Sequence, residues 1–272
     1  MGVITVSRQY GTGGEEVAQR VADKIGYSMV GQEKIESKLV QIADEGTAER
    51  VVAEKSPRII DRLTGDVRVT RSLLMESILS FAMGGSVMLL GRGSFDILRD
   101  VSGVLHVLFT DSPEKRESHT VRAEGLTLTD AREKIRKIDR ERAGFLKYYF
   151  DREWPDPAFF HLSITPLTTG LERSTELVLR LAEMMDLGPS FEGEGRNIVG
   201  QRHLLAAIKN RVVLHAGLEI DLFSLELMEG NRIGMKFSRA LGVKVSPVPS
   251  DLRDKAIKVA GDFAEGYTVV QA

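Results

Sequence analysis

The first 187 residues of this 272-residue chain alternate short apolar runs with segments of helical periodicity. The runs at 87–90 and 104–109 are apolar apart from His106, as is typical of strands buried on both faces of a sheet. A similar run occupies residues 3–6, and a fourth strand is predicted at 159–164. Strands separated by helices in this way predict an α/β fold, with helices covering both faces of a parallel sheet.

A glycine-rich turn follows the first strand and leads into a predicted amphipathic helix. Glycines let the backbone bring its N–H groups close to an anion, and the N-terminus of the helix favours negative charge. The sequence therefore predicts a phosphate-binding loop formed by Gly11, Thr12, Gly13 and Gly14. The loop departs from the Walker A motif, because the lysine position falls on Gly14. A glycine-rich turn without a ligand is the alternative interpretation.

A second loop, Gly91-Arg92-Gly93-Ser94, follows the predicted strand at 87–90. The carboxyl ends of parallel strands lie at one edge of a sheet, so this loop is expected beside the glycine-rich turn. An arginine at this edge can bind a phosphate through two hydrogen bonds. The alternative is a solvated loop arginine.

The predicted helix at 130–150 is densely charged. Arg132, Arg136 and Arg140 recur every four residues and form one stripe. Phosphoryl transfer requires several cations around the migrating group, and a helix of this kind can supply them as a lid. Alternating charges on a helix are also typical of a solvated face, so this alternative stays open.

Composition and charge argue against several classes of function. The net charge of −2 argues against nucleic-acid binding, and the absence of cysteine excludes disulfides, zinc–thiolate sites and thiol nucleophiles. The histidines show no metal-ligand spacing. No apolar run approaches the roughly 20 residues of a transmembrane segment, and no targeting segment is recognised, so we predict a cytoplasmic location.

The composition changes at residues 188–197, which are rich in glycine and proline. We interpret 188–200 as a linker between a domain at 1–187 and a small domain at 201–272. Periodicity in the small domain predicts the order helix, strand, strand, helix, strand, which is an α+β (αββαβ) arrangement.

Three segments together resemble the cytidylate-kinase-like family of nucleoside monophosphate kinases, which has a P-loop fold. They are the run from Ile4 to Gly14 (ITVSRQYGTGG), the run Leu90-Gly-Arg-Gly93 with the strand after it, and the run from Lys137 to Arg142 (KIDRER). The resemblance spans about residues 3–186. It implies a P-loop kinase-like parallel sheet and a phosphotransferase that uses ATP and Mg²⁺.

The resemblance also implies roles for individual residues. The donor would be bound by Gly11, Thr12, Gly13, Gly14 and Glu16. The catalytic cations would be Arg8, Arg136 and Arg142, and the acceptor would be bound by Arg92, Asp139 and Arg142. No metal ligand is implied. Gly93 stands where the family has an aspartate that helps to read the base, so the acceptor is left open between CMP or dCMP and a related small molecule.

The C-terminal region resembles a BON domain more distantly, over residues 225–237 and 251–270. This likeness implies a protein or lipid contact through the C-terminal domain, and a regulatory module or one that forms a homodimer is the alternative. We predict a kinase that transfers a phosphoryl group from ATP to a nucleoside monophosphate or a related small acceptor. The alternatives are a nucleotide-binding sensor with little or no activity, which acts through its C-terminal domain, and a scaffold with a vestigial loop.

Overall fold

The structure, a computed structural model, describes residues 2–44, 66–221, 223–237 and 248–272. The chain divides into two compact units. The first comprises Met1–Ile35 and Phe81–Val199, and the second comprises Glu36–Ser80 and Gly200–Ala272. In the part of the chain that is described, no helix is both long and apolar enough to cross a membrane.

A five-stranded parallel sheet lies at the centre of the first unit, in the order β2-β3-β1-β4-β5. The strands are β1 (Val3–Arg8), β2 (Ser28–Val30), β3 (Val87–Leu90), β4 (Val104–Phe109) and β5 (Leu162–Ile164). The predicted parallel α/β sheet is confirmed. Strand β1 is central because it pairs with β3 on one side and β4 on the other, so that Val6 lies between Leu90 and Val107.

Helices flank this sheet. Those of the first unit are α1 (Gly14–Ile25), α4 (Ser94–Ile97), α5 (Pro113–Glu124), α6 (Leu128–Phe150), α7 (Pro166–Thr169), α8 (Leu171–Met184) and α9 (Leu187–Ser190). Helices α2 (Gln32–Asp44) and α3 (Val67–Ala82) belong largely to the second unit. The apolar stripe of α1, which includes Val17 and Val21, is buried against Ile4, Phe109 and Val178 in one core. Packing of this stripe places the N-terminus of α1 at the carboxyl end of β1, where the glycine loop turns.

Helix α6 begins earlier than the sequence predicts. The predicted start was residue 130, but the helix starts at Leu128 and its cap is Thr127, whose Oγ1 accepts a hydrogen bond from the N–H of Asp130 over 3.2 Å. The Thr127 hydroxyl also donates to the Asp130 carboxylate over 2.6 Å. These two bonds fix the start of the helix two residues upstream of the prediction.

The segment at 188–200, interpreted from sequence as a linker, is helical. It continues from α9 through a π-helical turn, Phe191–Gly195, into α10, Arg196–Arg211. A Cβ on Gly195 would lie 2.1 Å from the carbonyl oxygen of Ser102, so this glycine permits a close approach and does not mark a flexible connection. The division of the chain into domains at 1–187 and 201–272 stays a prediction.

The C-terminal part of the second unit contains a three-stranded sheet in the order β6-β7-β8. Its elements are α10, a π-helical turn (Val212–Ala216), β6 (Phe223–Met228), β7 (Arg232–Phe237), α11 (Ser250–Phe263) and β8 (Thr268–Gln271). Strands β6 and β7 are antiparallel, whereas β7 and β8 are parallel. Apolar residues from helices and strands, including Ile208, Phe223, Ile233 and Ala256, form its core.

The predicted small α+β region is confirmed, while the likeness to a BON domain stays a prediction. A helix predicted at 48–55 lies outside the described residues.

Candidate active site

The glycine loop between β1 and α1 is held in a tight, internally bonded conformation. Gly11 and Gly13 have left-handed backbones, with φ of 76° and 72°. The Thr12 hydroxyl donates to the carbonyl of Gln9 over 3.0 Å and accepts from the N–H of Gly14 over 3.2 Å. The loop is therefore open and preformed, as a phosphate-binding loop requires.

The position that a Walker lysine would occupy is closed by the core. A Cβ on Gly14 would lie 2.6 Å from the Cβ of Phe109 and 2.7 Å from its ring. Phe109 is 1% exposed and belongs to the central core, so it cannot move aside cheaply. Packing at the start of α1 thus explains why this loop carries glycine at position 14.

Helices α5 and α6 anchor the loop from the other side. The N–H of Tyr10 donates to one oxygen of the Asp139 carboxylate over 2.8 Å, and Arg116 donates to the other over 2.5 Å. Arg116 also donates to the carbonyl of Tyr10 over 3.1 Å. Both oxygens of Asp139 are therefore engaged by the protein itself. In this arrangement Asp139 positions the loop.

Arg8 and Arg142 lie close together beside the loop. Arg142 donates to the backbone carbonyl of Arg8 over 2.7 Å. Burial, followed by the charge of Arg8, lowers the pKa of Arg142 to about 10. The Arg8 guanidinium contacts Glu15 over 3.1 Å, and its buried Nε has no hydrogen-bond partner among the described residues. Two cations held together in this way favour an anion between them.

The second loop carries Arg92 at the carboxyl end of β3. Three successive residues, Gly91, Arg92 and Gly93, have left-handed backbones with φ of 74°, 55° and 74°. The Arg92 guanidinium lies 4.5 Å from the centre of the Phe145 ring, and a Cβ on Gly93 would lie 2.3 Å from the ring of Phe150. No side chain fits at position 93 without displacing Phe150.

Two clefts open at this edge of the sheet. The loop cleft is lined by residues 8–16 of the glycine loop, by His119, Thr120 and Glu124 of α5, and by Arg142. The arginine cleft is lined by Arg8, Arg92 and Arg142, with Phe95, Phe145 and Trp154 among its apolar residues. Arg8 and Arg142 line both clefts and therefore lie between them.

The structure brings most of the predicted site residues together. Gly11, Thr12, Gly13, Gly14 and Glu16 line the loop cleft, and Arg92 lines the arginine cleft. Arg136 lines neither and is exposed, because it shares the solvent-facing stripe of α6 with Arg132 and Arg140, which are also exposed. Asp139 and Arg142, three residues apart, lie on the face that turns toward the loop. The roles of all these residues stay predictions.

Sequence reasoning missed the contribution of α5. Arg116, His119 and Thr120 face the glycine loop from this helix, and their spacing of i, i+3 and i+4 is the signal that could have identified them. It also missed Trp154, which follows helix α6. Its indole N–H donates to the Ser7 hydroxyl over 2.9 Å and its ring lines the arginine cleft.

His106 and His161 form a stacked pair within the sheet, with ring centres 4.8 Å apart. His106 Nδ1 is 2.7 Å from the Thr5 hydroxyl, and His161 Nδ1 accepts from the N–H of His106 over 3.0 Å. Burial, followed by the charge of His161, lowers the pKa of His106 to about 4. Within the described residues, no group of three or more His, Asp or Glu side chains could hold a metal ion.

The parallel sheet, the preformed glycine loop and the arginines at its edge define a P-loop kinase-like protein. The family model described as "Cytidylate kinase-like family" matches residues 3–166. The chain therefore belongs to the cytidylate kinase-like family, and membership of a kinase family supports phosphoryl transfer as its general chemistry. No curated protein matches the sequence.

Solved structures are similar in fold. An uncharacterized protein from Eubacterium ventriosum is 17% identical with a TM-score of 0.54, over 67% of this chain and 98% of that chain. A shikimate kinase from Bacteroides thetaiotaomicron is 15% identical with a TM-score of 0.40, over 67% and 98% of the two chains. A gluconokinase from Sinorhizobium meliloti is 15% identical with a TM-score of 0.38, over 68% and 95%. The similarity to the Eubacterium ventriosum protein supports the fold. The similarities to the shikimate kinase and the gluconokinase support no conclusion about fold or function.

Proposed function

We propose that this protein transfers the γ-phosphoryl group of ATP to a small acceptor bound in the arginine cleft. The observation that carries the proposal is the position of Arg8 and Arg142, which line both clefts. A phosphoryl group passing from one cleft to the other would meet both guanidinium groups. Cations at this place stabilise the charge that spreads over the equatorial oxygens in the transition state.

In the proposed reaction, an oxygen of the acceptor attacks the γ-phosphorus in line with the bond to the β,γ-bridging oxygen. That bond breaks, its electron pair stays on the bridging oxygen, and ADP leaves. If the acceptor is a hydroxyl, its proton is lost to solvent; a phosphate acceptor is already ionised. The backbone N–H groups of the glycine loop hold the donor phosphates, and Arg92 orients the acceptor.

The residues at the loop cleft fit a polyphosphate donor, because Arg8 Nε and Thr120 Oγ1 are buried polar atoms without partners in the described structure. Mg²⁺ is bound in such sites largely by phosphate oxygens and water, with one or two protein groups. Glu16 lies in the first turn of α1 beside the loop, but its carboxylate contacts Arg20 over 2.6 Å. When present with ATP, Mg²⁺ would neutralise phosphate charge, and we assign it no protein ligand.

The acceptor we propose is a nucleoside monophosphate or a related small molecule that carries an anionic group for Arg92. CMP and dCMP are the first to test because of the family. Phe150 packs against Gly93, so no acidic side chain can read a base from position 93. The ring of Phe145 and the indole of Trp154 are available for contact with a planar group.

The experiment is coupled ADP release from the full chain with ATP and Mg²⁺, across the nucleoside and deoxynucleoside monophosphates. The expected result is ADP release that depends on the acceptor, with a phosphorylated product. Release without an acceptor, or none with any acceptor, contradicts transfer to this class.

A second candidate function is a nucleotide-binding sensor without turnover. One observation favours it: the Arg8 guanidinium is already paired with Glu15, and no lysine can be placed at position 14. Nucleotide binding without ADP release would support the sensor. Failure of ATP and every monophosphate to raise the melting temperature at millimolar concentration would instead support a scaffold, since a bound ligand stabilises the fold.

Two further expectations stay predictions. One is a contact of the C-terminal region with a second copy, another protein or a lipid, and the other is a cytoplasmic location.

A further inference from the structure

One face of helix α5 turns polar side chains toward the glycine loop. Arg116, His119 and Thr120 lie on this face, and each has a buried polar atom without a hydrogen-bond partner among the described residues. These atoms are Arg116 Nε, His119 Nδ1 and Thr120 Oγ1. Buried polar groups are normally paired, so three neighbouring exceptions on one helix indicate that a ligand or ordered water completes them.

The side chains of α5 are close to the loop backbone. Thr120 is 1% exposed, and its Oγ1 lies 2.5 Å from the position that a Cβ on Gly11 would take. Nε2 of His119 lies 3.8 Å from the Cβ position of Gly13. Both glycines have left-handed backbones, and the absence of a Cβ at either position lets the loop backbone come close to this helix. The loop cleft therefore has two polar walls, the loop on one side and α5 on the other.

The acidic groups near this cleft are already engaged. Glu124 accepts from the Tyr10 hydroxyl over 2.5 Å and is bonded to Lys134, and the bond to Lys134 is the first cause of the lowered pKa of Glu124. Glu15 is paired with Arg8, and Glu16 is paired with Arg20. The carboxylates are thus held by cations, whereas His119 and Thr120 line the cleft and each has a buried polar atom that no described residue pairs.

We propose that helix α5 forms the second wall of the donor site, where His119 and Thr120 bind the polyphosphate chain that the loop backbone holds from the opposite side. Arg116 is a positioning residue, since its NH1 fastens Tyr10 and Asp139. The inference rests on the proposed function, because it identifies the loop cleft as the donor site. It explains how the chain compensates for a lysine that position 14 cannot accommodate.

The test is isothermal titration calorimetry of the full chain with ATP, ADP, AMP and inorganic tripolyphosphate. His119→Phe removes both ring nitrogens, including the unpaired Nδ1, and keeps a planar ring, while Thr120→Val removes the hydroxyl at constant shape. Each substitution is expected to weaken ATP and tripolyphosphate binding about tenfold, with AMP binding changed less than about twofold. Arg122→Gln, an exposed position on the same helix, is the matched control and is expected to bind all four ligands as the wild type does.

The outcomes separate this inference from the proposed function. If the wild type binds ATP and both variants bind it equally well, the role of α5 is wrong and phosphoryl transfer stands. Equal losses for AMP and ATP would also overturn the inference, because they indicate contacts to the base or ribose.

Other outcomes bear on the transfer reaction. If ATP binds through His119 and Thr120 but no acceptor supports ADP release, the proposed α5 site stands and the proposed transfer reaction is wrong. If the wild type binds neither ATP nor tripolyphosphate, both proposals are wrong. Thermal unfolding without ligand verifies that each variant is folded.

Discussion

Arg142 donates a hydrogen bond from its guanidinium to the backbone carbonyl of Arg8 over 2.7 Å. This bond joins the long charged helix α6 to the last residue of β1, immediately before the glycine loop. The Arg142 side chain is half-buried, and burial together with the charge of Arg8 lowers its pKa to about 10. Under the proposed function, these two guanidinium groups would stabilise the migrating phosphoryl group.

Substitution Arg142→Gln is expected to lower kcat for ADP release about 100-fold, because it removes a preorganised cation from the place where charge develops. The measurement is steady-state kinetics at saturating ATP with whichever acceptor is active. Arg140→Gln, on the exposed stripe of the same helix, is the matched control and should retain wild-type kcat. An unchanged kcat in the Arg142 variant would remove this residue from the proposed mechanism.

Substitution Arg92→Ala is expected to weaken acceptor binding about tenfold or more while changing ATP affinity little, since Arg92 lines the arginine cleft and not the loop cleft. Titration of each ligand separately distinguishes the two effects. Arg99→Ala, at an exposed arginine shortly after α4, controls for general loss of charge. Equal loss of donor and acceptor affinity would contradict the assignment of separate clefts.

Substitution Glu15→Gln is expected to raise ATP affinity about two- to fivefold. It removes an exposed negative charge beside the loop cleft and releases Arg8 from its ion pair, and exposed pairs of this kind have small energies. The gain should shrink at 0.5 M KCl because salt screens exposed charges. Asp23→Asn, farther along α1, is the control for charge alone. A fall in affinity would indicate that Glu15 itself contributes to binding the nucleotide.

The stability of the fold is expected to decrease on acidification because of His106. Its pKa is about 4 in the folded protein, against 6.5 as the ordinary value, so below pH 6.5 the unfolded chain takes up a proton that the folded chain resists. Between pH 7 and pH 5 this histidine should cost about 2 kcal/mol of unfolding free energy. The loss should be complete as the pH falls through about 4.

The measurement is chemical unfolding of wild type and His106→Asn at a series of pH values. Asparagine keeps a polar atom near Nδ1 for Thr5, and it does not titrate. The difference between the two pH profiles isolates His106 from the carboxylates, which are common to both proteins. Parallel profiles would show that His106 is not the titrating group.

The most regular elements of the fold could be predicted from the sequence. Strands β3 and β4 are continuous apolar runs, and the helix after Pro113 has Ser112 as its cap, so each carries a strong local signal. Strand β2 was missed because it has only three residues at the edge of the sheet and its first residue is exposed. The segment at 188–200 was misread because glycine serves close packing there as well as flexibility.

The parts of the candidate site that could be predicted are those marked by residues close together in sequence. The glycine loop and Arg92 follow strands directly, so their shared edge follows from the topology of a parallel sheet. The functions of Asp139 and α5 could not be predicted in the same way. Asp139 bonds to Tyr10, 129 positions away, and such a long-range contact leaves no periodic signal. The contact between Phe150 and Gly93 also joins residues that are far apart in sequence.

The packing of Gly14 on Phe109 constrains how this chain can change during evolution or engineering. A lysine introduced alone at position 14 would have to displace an aromatic ring of the central core, and the variant would lose stability before it gained a cation. A lysine at position 14 is therefore expected to require a compensating change at position 109. Single substitutions are therefore expected to leave the loop without a lysine. They are expected to change the arginines and the α5 residues beside the loop instead.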